Sequence, residues 1–257
     1  MKAGRGPLPP MSVALMLGLV STMVATAFLS GIFGMAGGLI LMGVLLTLLP
    51  LPEAMALHAV TQMASNGWRG LLWLRYAHWR SGANFLAGCA LAFVAWSFWQ
   101  YVPPKPLAFV LLGLSPFAIR LVPAGLKPGP ERLGFGVVCG SASMTLMLLS
   151  GVSGPLIDAF FLSGKLDRRQ IVATKAVCQL ASHGAKLLYF GSLVGQAARL
   201  DPVMAAGAVV ASIVGTSLAR PVLERLSDAQ FRWWASRIIA TIAAVYLAQG
   251  LYLLARP

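Results

Sequence analysis

Two stretches of this sequence place polar side chains where they could act on a charged solute. His58, Gln62, Ser65 and Arg69 follow one another at steps of four, three and four, which puts them on one face of a helix. Lys175, Gln179, Ser182 and Lys186 repeat that face further along the chain. Thr61 and Asn66 flank the first stripe, and Thr174 and His183 flank the second. Both stripes carry cations at their ends, amides and hydroxyls between them, and no carboxylate. Such a set offers positive potential and hydrogen-bond donors, the requirements of an anion. No cluster of metal ligands, phosphate-cradling loop or nucleotide motif appears, so neither a cofactor nor a metal is expected.

The surroundings of the stripes give them their meaning. The chain has 257 residues, of which 58% are hydrophobic and 11% charged, with a mean hydropathy of +0.78. Soluble domains carry about 25% charged residues, so this chain lacks the surface to stay in water. Its apolar stretches reach or pass the ~20 residues needed to cross a bilayer core. Eight hydrophobic segments are expected, at 11–49, 55–77, 82–102, 105–122, 132–163, 170–190, 202–219 and 230–254. A charge at the centre of a membrane helix costs about 3 kcal/mol on insertion scales, so polar groups there line a cavity or a pathway. The net charge of +13 is explained by Lys and Arg in short loops, where the positive-inside bias places them; no nucleic-acid partner is expected. Cys89, Cys139 and Cys178 lie within apolar segments and read as free, buried thiols. Trp96, Trp99, Tyr101, Trp233 and Trp234 sit near segment ends and read as interface anchors. Lys2 and Arg5 before an apolar run resemble a signal peptide, but the run continues to about Leu49 and reads as mature structure.

Two segments, 11–49 and 132–163, are too long for one ordinary crossing, and each holds a glycine cluster: Gly31-Ile-Phe-Gly34-Met-Ala-Gly37-Gly38 and Gly151-Val-Ser153-Gly154-Pro155. Glycine and proline at membrane depth mark a broken or re-entrant segment, tolerated where protein or a water-filled cavity satisfies the freed backbone. Displaced by 117 residues (Ala59 onto Ala176), the chain matches itself without a gap. Ala59-Val-Thr-Gln-Met-Ala-Ser-Asn-Gly-Trp-Arg69 falls on Ala176-Val-Cys-Gln-Leu-Ala-Ser-His-Gly-Ala-Lys186, and Gly34, Gly37, Leu39 and Ile40 fall on Gly151, Gly154, Leu156 and Ile157. The expected architecture is therefore an all-α integral membrane protein of two tandem repeats, 11–122 and 132–254, after a tail at 1–10 and joined by a Pro/Gly-rich linker at 123–131. The basic loops swap parity between the halves: Arg75 and Arg80 follow the second segment of the first half, whereas Lys165, Arg168 and Arg169 follow the first segment of the second, and Arg220 and Arg225 its third. That swap points to inverted topology.

In these features the chain resembles the TauE/SafE family of sulfite exporters and related permeases. The resemblance rests on Gly34-Met-Ala-Gly37-Gly38 with the Leu-Pro-Glu-Ala turn at 51–54, on Gly151-Val-Ser-Gly154-Pro155 leading to Leu166-Asp-Arg-Arg-Gln170, Ala173-Thr174, Lys186 and Tyr189, and on Gly215-Thr-Ser-Leu-Ala-Arg220. The first glycine cluster departs from the pattern in its Met-Ala, and the first half lacks the Gly-x-x-x-Ala-Arg ending. The resemblance implies a secondary transporter for sulfite, sulfonates, other sulfur oxyanions or organic anions, in a bacterial inner membrane.

The substrate site expected from the stripes is built from Gln62, Ser65, Asn66 and Arg69 with Lys175, Gln179, Ser182, His183 and Lys186. Backbone around Gly34, Gly37, Gly38, Ser153 and Gly154 completes it, and His58 and Asp158 are candidates for carrying a coupling proton. Asp158 has no counterpart in the first half, where Leu41 stands, and reads either as a counter-ion to a stripe lysine or as a proton carrier. The partners expected are a small anion, the lipid bilayer and protons; the oligomeric state is open, with a homodimer as one option. A competing reading takes Gly151-Val-Ser153-Gly154 as the nucleophile motif of an intramembrane serine protease with His183 as base; Ala36 and Asn66 at the equivalent positions speak against it. A non-transporting assembly subunit would leave two polar stripes unexplained.

Overall fold

Hydrocarbon offers a backbone no hydrogen-bond partners, so a chain this apolar satisfies its peptide groups within helices. The computed structural model describes residues 13–33, 36–121, 129–130, 132, 134–193, 200–225 and 228–255. Ten α-helices and no strand occur among the described residues. They are α1 (Val13–Phe33), α2 (Ala36–Leu48), α3 (Leu51–Trp73), α4 (Trp79–Trp99), α5 (Lys105–Leu121), α6 (Phe135–Ser150), α7 (Gly154–Leu162), α8 (Arg168–Leu188), α9 (Pro202–Arg225) and α10 (Asp228–Leu254). A 3-10 turn at Leu74–Tyr76 follows α3, and a π-turn at Tyr189–Leu193 follows α8.

Among the described residues, four stretches are long and apolar enough to cross a bilayer, namely Ala14–Phe33, Trp79–Trp99, Pro202–Ala219 and Ser236–Leu254. The two over-long segments are each split, 11–49 into α1 and α2 and 132–163 into α6 and α7. At ~1.5 Å per residue, α2 with 13 residues and α7 with 9 are too short to span the apolar layer. The first split lies between Phe33 and Ala36, and Gly34 and Met35 lie outside the described residues. The second is made by Gly151, whose φ of 84° is the left-handed conformation that ends a helix. A side chain there would be strained and would also meet the sulfurs of Met42 and Met55.

Several expected boundaries move. The helix α9 runs on to Arg225, so Arg220 and Arg225 lie in its last turns instead of a loop. The helices α3, α4 and α8 each begin earlier than their apolar runs. Prolines and polar residues occupy the first turns of α3 and α8 at no helical cost, since the first N–H groups of a helix lack internal partners anyway. Asp167 caps α8 by accepting from Arg169 N and Gln170 N, and the Gln170 side chain returns the bond to Asp167 N. The tail at 1–10 and positions 123–128 and 131 of the linker lie outside the described residues.

Glycine contacts give the direction of each helix pair. Along α1 and α9, Gly207 meets Val20, Gly215 meets Val24 and Ala27, and Gly31 meets Thr216 and Ala219, so the two run parallel. Along α4 and α6, Gly136 meets Asn84, Gly140 meets Phe85 and Cys89, and Trp96 Nε1 donates to Thr145 Oγ1, again parallel. The central pair α3 and α8 is antiparallel, with Gly70 beside Ala176, Gly67 beside Leu180, and His58 beside Lys186. So is α5 with α10, where Gly113 meets Ala243 and Leu247, and Gly250 meets Pro106 and Val110. Exchanging α1–α5 for α6–α10 in order turns the pair of α1 and α9 into that of α6 and α4, and leaves the pairs α3 with α8 and α5 with α10 as they are.

Basic residues gather at one end of the bundle. Arg169 Nη1 donates to Tyr76 Oη over 3.2 Å, and the Arg75 and Arg169 guanidinium groups lie 4.7 and 5.3 Å from the Tyr76 ring centre. Ser81 Oγ donates to Pro130 O, bringing the start of α4 to the segment before α6.

The close approach of α4 to α6 depends on Gly88 and Gly140, whose faces meet the backbone carbonyls of Val137 and Phe85. Gly140→Val forces these backbones apart. The expected loss is about 1–3 kcal/mol, read as a lower unfolding midpoint of the detergent-solubilised protein.

Candidate functional site

The two polar stripes face each other because α3 and α8 cross antiparallel at the centre of the bundle. Between them lies a cavity of about 30 Å³, enough for roughly two water-sized groups. Its lining comes from five sources: Ser30 of α1; Gly38 of α2; His58, Gln62, Asn66 and Arg69 of α3; Gly154 and Asp158 of α7 with Val152 and Ser153 before it; and Lys175, Gln179 and His183 of α8. Most of the site residues expected from the sequence are thus brought together.

Three buried polar atoms at this cavity have no hydrogen-bond partner: Ser30 Oγ, Ser153 Oγ and His183 Nδ1. A buried polar group left unpaired costs about 1–3 kcal/mol, and native structures carry few of them. Their convergence on one cavity marks it as a place where a solute or water completes the bonding.

The cations at the stripe ends are placed by the broken helices. The last carbonyls of a helix lack internal partners. Arg69 Nη2 donates to Ser30 O in the last turn of α1 over 3.3 Å, and Lys186 Nζ donates to Gly151 O at the end of α6 over 2.9 Å. A cation at a helix C-terminus is also favoured by the helix dipole. Just past each break a short helix begins, and the first turns of α2 and α7 reach the cavity through Gly38 and Gly154. Helix N-termini carry the opposite partial charge and attract anions.

The remaining residues fall into distinct places. Lys175 forms an ion pair with Asp158, and both are partly exposed. Lys186 is wholly buried and absent from the lining; its Nζ lies 2.8 Å from His58 Nδ1, behind the cavity wall. His58 Nε2 lies 2.9 Å from Gly38 O. Gly37 packs on α1 against Thr26 O and Ser30 and does not line the cavity, and Gly34 lies outside the described residues.

Ser65 and Ser182 depart from expectation. Ser65 Oγ pairs with Thr216 Oγ1 of α9 at 2.9 Å. Ser182 Oγ donates to Cys178 O and lies 3.6 Å from Cys89 Sγ of α4. Both hydroxyls point to flanking helices. The three-residue step from Gln to Ser turns the side chain by about 300°, or 60° short of a full turn, enough to take it off a narrow seam. Thr61 and Thr174 likewise serve the backbone, Thr61 donating to His58 O and Thr174 accepting from His78 N.

Ser30 was not foreseen. Its equivalent at the constant offset is Met147, so the self-match carries no signal there. The Ser153–His183 pairing needed for a protease is not formed, since Ser153 Oγ has no hydrogen-bond partner.

The sulfite exporter TauE/SafE family model matches residues 19–247, nearly the whole chain and every element that builds this cavity. The chain belongs to the TauE/SafE sulfite exporter family. No curated protein and no solved structure matches it. As a TauE/SafE member it is an integral membrane protein of a transporter family, and a small anion is the partner that membership gives it. The cationic, donor-rich cavity fits that partner chemically.

Position within the TauE/SafE cavity separates the stripe residues by effect. Gln62→Ala and Gln179→Ala are expected to weaken anion binding by an order of magnitude or more, about 1.4 kcal/mol or above for a lost bond to a charged group. Ser65→Ala is expected to cost about 0.6 kcal/mol of helix packing and less than threefold in affinity. Calorimetric titration of the purified variants with thiosulfate would compare them.

Proposed function

We propose that this protein is a secondary transporter of a small sulfur oxyanion, such as sulfite, or of an organosulfonate, working by alternating access from a cell membrane of bacterial inner-membrane type. The observation that carries the reading is the meeting of Arg69, Lys175 and three amides with three unpartnered polar atoms in one buried cavity. Gln62, Gln179 and Asn66 would hydrogen-bond the anion's oxygens, with Ser30, Ser153 and His183 completing the shell. Arg69 and Lys175 would supply charge, and the first turns of α2 and α7 would add backbone N–H groups. The cavity's small volume favours a compact oxyanion over a long organic anion. Protons are the proposed coupling ion, with His58 and Asp158 at the cavity wall.

We further infer two inverted repeats, α1–α5 and α6–α10. Equivalent helices α3 and α8, and α5 and α10, pack antiparallel, as a two-fold axis lying across the helices requires. Five elements in each half also reverse the second half relative to the first. The end holding Arg75, Arg80, Arg132, Lys165 and Arg169 then faces the cytoplasm. The helix α10 runs from that end to the other. Alkaline phosphatase joined after Leu254 should therefore be active and a fluorescent protein at the same place dark; the reverse result would overturn this orientation.

Transport is tested in proteoliposomes with sulfite, sulfate, thiosulfate, a small sulfonate and a small carboxylate, each with and without a pH gradient. Saturable flux of a sulfur oxyanion, lost in Gln179→Ala at unchanged expression, is the expected result. Flux of the carboxylate alone would move the substrate class, and no flux from vesicles holding folded protein would refute the reading.

A further inference from the structure

Behind the cavity wall, Lys186 and His58 form a contact whose hydrogen bonds fix where protons sit. A carbonyl oxygen only accepts, so the 2.9 Å contact of His58 Nε2 with Gly38 O puts a proton on Nε2. In neutral His58, Nδ1 is then bare and accepts from Lys186 Nζ across 2.8 Å. The same Nζ donates to Gly151 O at 2.9 Å. Two arrangements satisfy all three contacts: an ammonium beside a neutral imidazole, or a neutral amine donating to both acceptors. A third, with the extra proton on His58 and a neutral amine accepting it, carries the same net charge as the first. Both groups charged would leave Nδ1–H and the ammonium facing each other with nothing to accept between them. The pair therefore holds one extra proton or none.

The neighbours do not neutralise that proton. His58 is 1% exposed and Lys186 0%. From α8, His183 places its ring centre 5.5 Å from that of His58, with Nδ1 unpartnered. From α7, Asp158 is already paired with Lys175. From α3, Arg69 adds a second positive charge at the cavity. The thiols of Cys89 and Cys178 donate to Gly140 O and Gly82 O, and the Tyr189 hydroxyl donates to Tyr101 O. The helix α2 brings no titratable side chain.

We propose that Lys186 and His58 together form a one-proton binding site whose charge controls the affinity of the adjoining cavity for its anion. The proposal rests on the reading of that cavity as an anion site. With the proton bound, the cavity wall carries an added unit of positive charge and the anion is held. Proton release breaks one N–H bond, gives the proton to water or the anion itself in the cavity, and returns the pair to neutral. By linkage the anion and the proton strengthen each other's binding by the same factor, on the order of fivefold or more. His58, which touches both Lys186 and the cavity, is the element between them.

The sequence contains three histidines, His58, His78 and His183, so ring-nitrogen NMR of the purified protein with labelled histidine resolves each, with His→Asn variants for assignment. His58 is expected as the Nε2–H tautomer, with its Nδ1 resonance shifting in one step as pH rises. Lys186→Met should remove that step. An Nδ1–H tautomer in the wild-type protein, or the same step in Lys186→Met, would overturn the site, and neither readout requires transport. Thiosulfate, whose charge is constant over the neutral range, then serves as the flux probe. A pH gradient should drive its accumulation in the wild type and lose its effect in both Lys186→Met and Lys186→Arg, the second keeping the charge but unable to release it. Gradient-driven accumulation persisting in both variants would overturn the coupling. Absence of thiosulfate flux together with the expected NMR step would leave the proton site standing and count against control of this anion.

Discussion

A broken helix in an apolar layer leaves carbonyl groups that only the protein can satisfy, and the fold is organised around that debt. The last turn of α1 and the end of α6 each receive a cation, Arg69 on Ser30 O and Lys186 on Gly151 O. The helix α2 is further held by Tyr246, whose hydroxyl donates to Leu39 O over 2.7 Å and lies 3.2 Å from Ile40 O. Each bond ties a broken element to a long helix from elsewhere in the bundle. Removing either cation would strand a buried carbonyl, so the polar stripes cannot be separated from the architecture that surrounds them.

The same constraint explains why the charge at the cavity is so lopsided. A helix C-terminus favours a cation and a helix N-terminus favours an anion. At each break the C-terminus of one helix lies close to the N-terminus of the next. The cation satisfies the first and leaves the second free. Asp158 offsets one positive charge by pairing with Lys175, and its place on α7 rather than on α2 makes the two sides of the cavity chemically unequal. An asymmetric cavity can hold a ligand in a preferred orientation, which a symmetric one could not.

Much of this was legible in the sequence, for reasons that can be traced to particular residues. The breaks at 11–49 and 132–163 were visible because glycine and proline interrupt runs too long for one crossing. Gln62 and Asn66, like Lys175, Gln179 and His183, reached the cavity because the four-residue step keeps a side chain on one helix face, and Arg69 because seven residues from Gln62 bring it back to the same face after two turns. Ser65 and Ser182 did not, since a three-residue step rotates them towards α9 and α4, where Thr216 and Cys89 meet them. No local pattern reveals such cross-helix partners. Ser30 was invisible because a lone serine in an apolar helix is usually bonded within its own turn, and only the tertiary placement of α1 brings it to the cavity. The extension of α9 through Arg220 was missed because hydropathy falls where a helix leaves the apolar layer, although the helix itself continues.

The parallel pairs α1 with α9 and α4 with α6 have a consequence for how the molecule can move. Each half of the chain lends an outer helix to the other: α1 lies against α9, and α6 lies against α4, with glycines pressed onto backbone in both seams. The halves are interlocked like clasped hands. A motion that parts residues before the linker from those after it would have to unzip both seams at once. Any exchange of access at the cavity must therefore divide the bundle along a different line, one that cuts through both halves and leaves each seam intact within a single moving body.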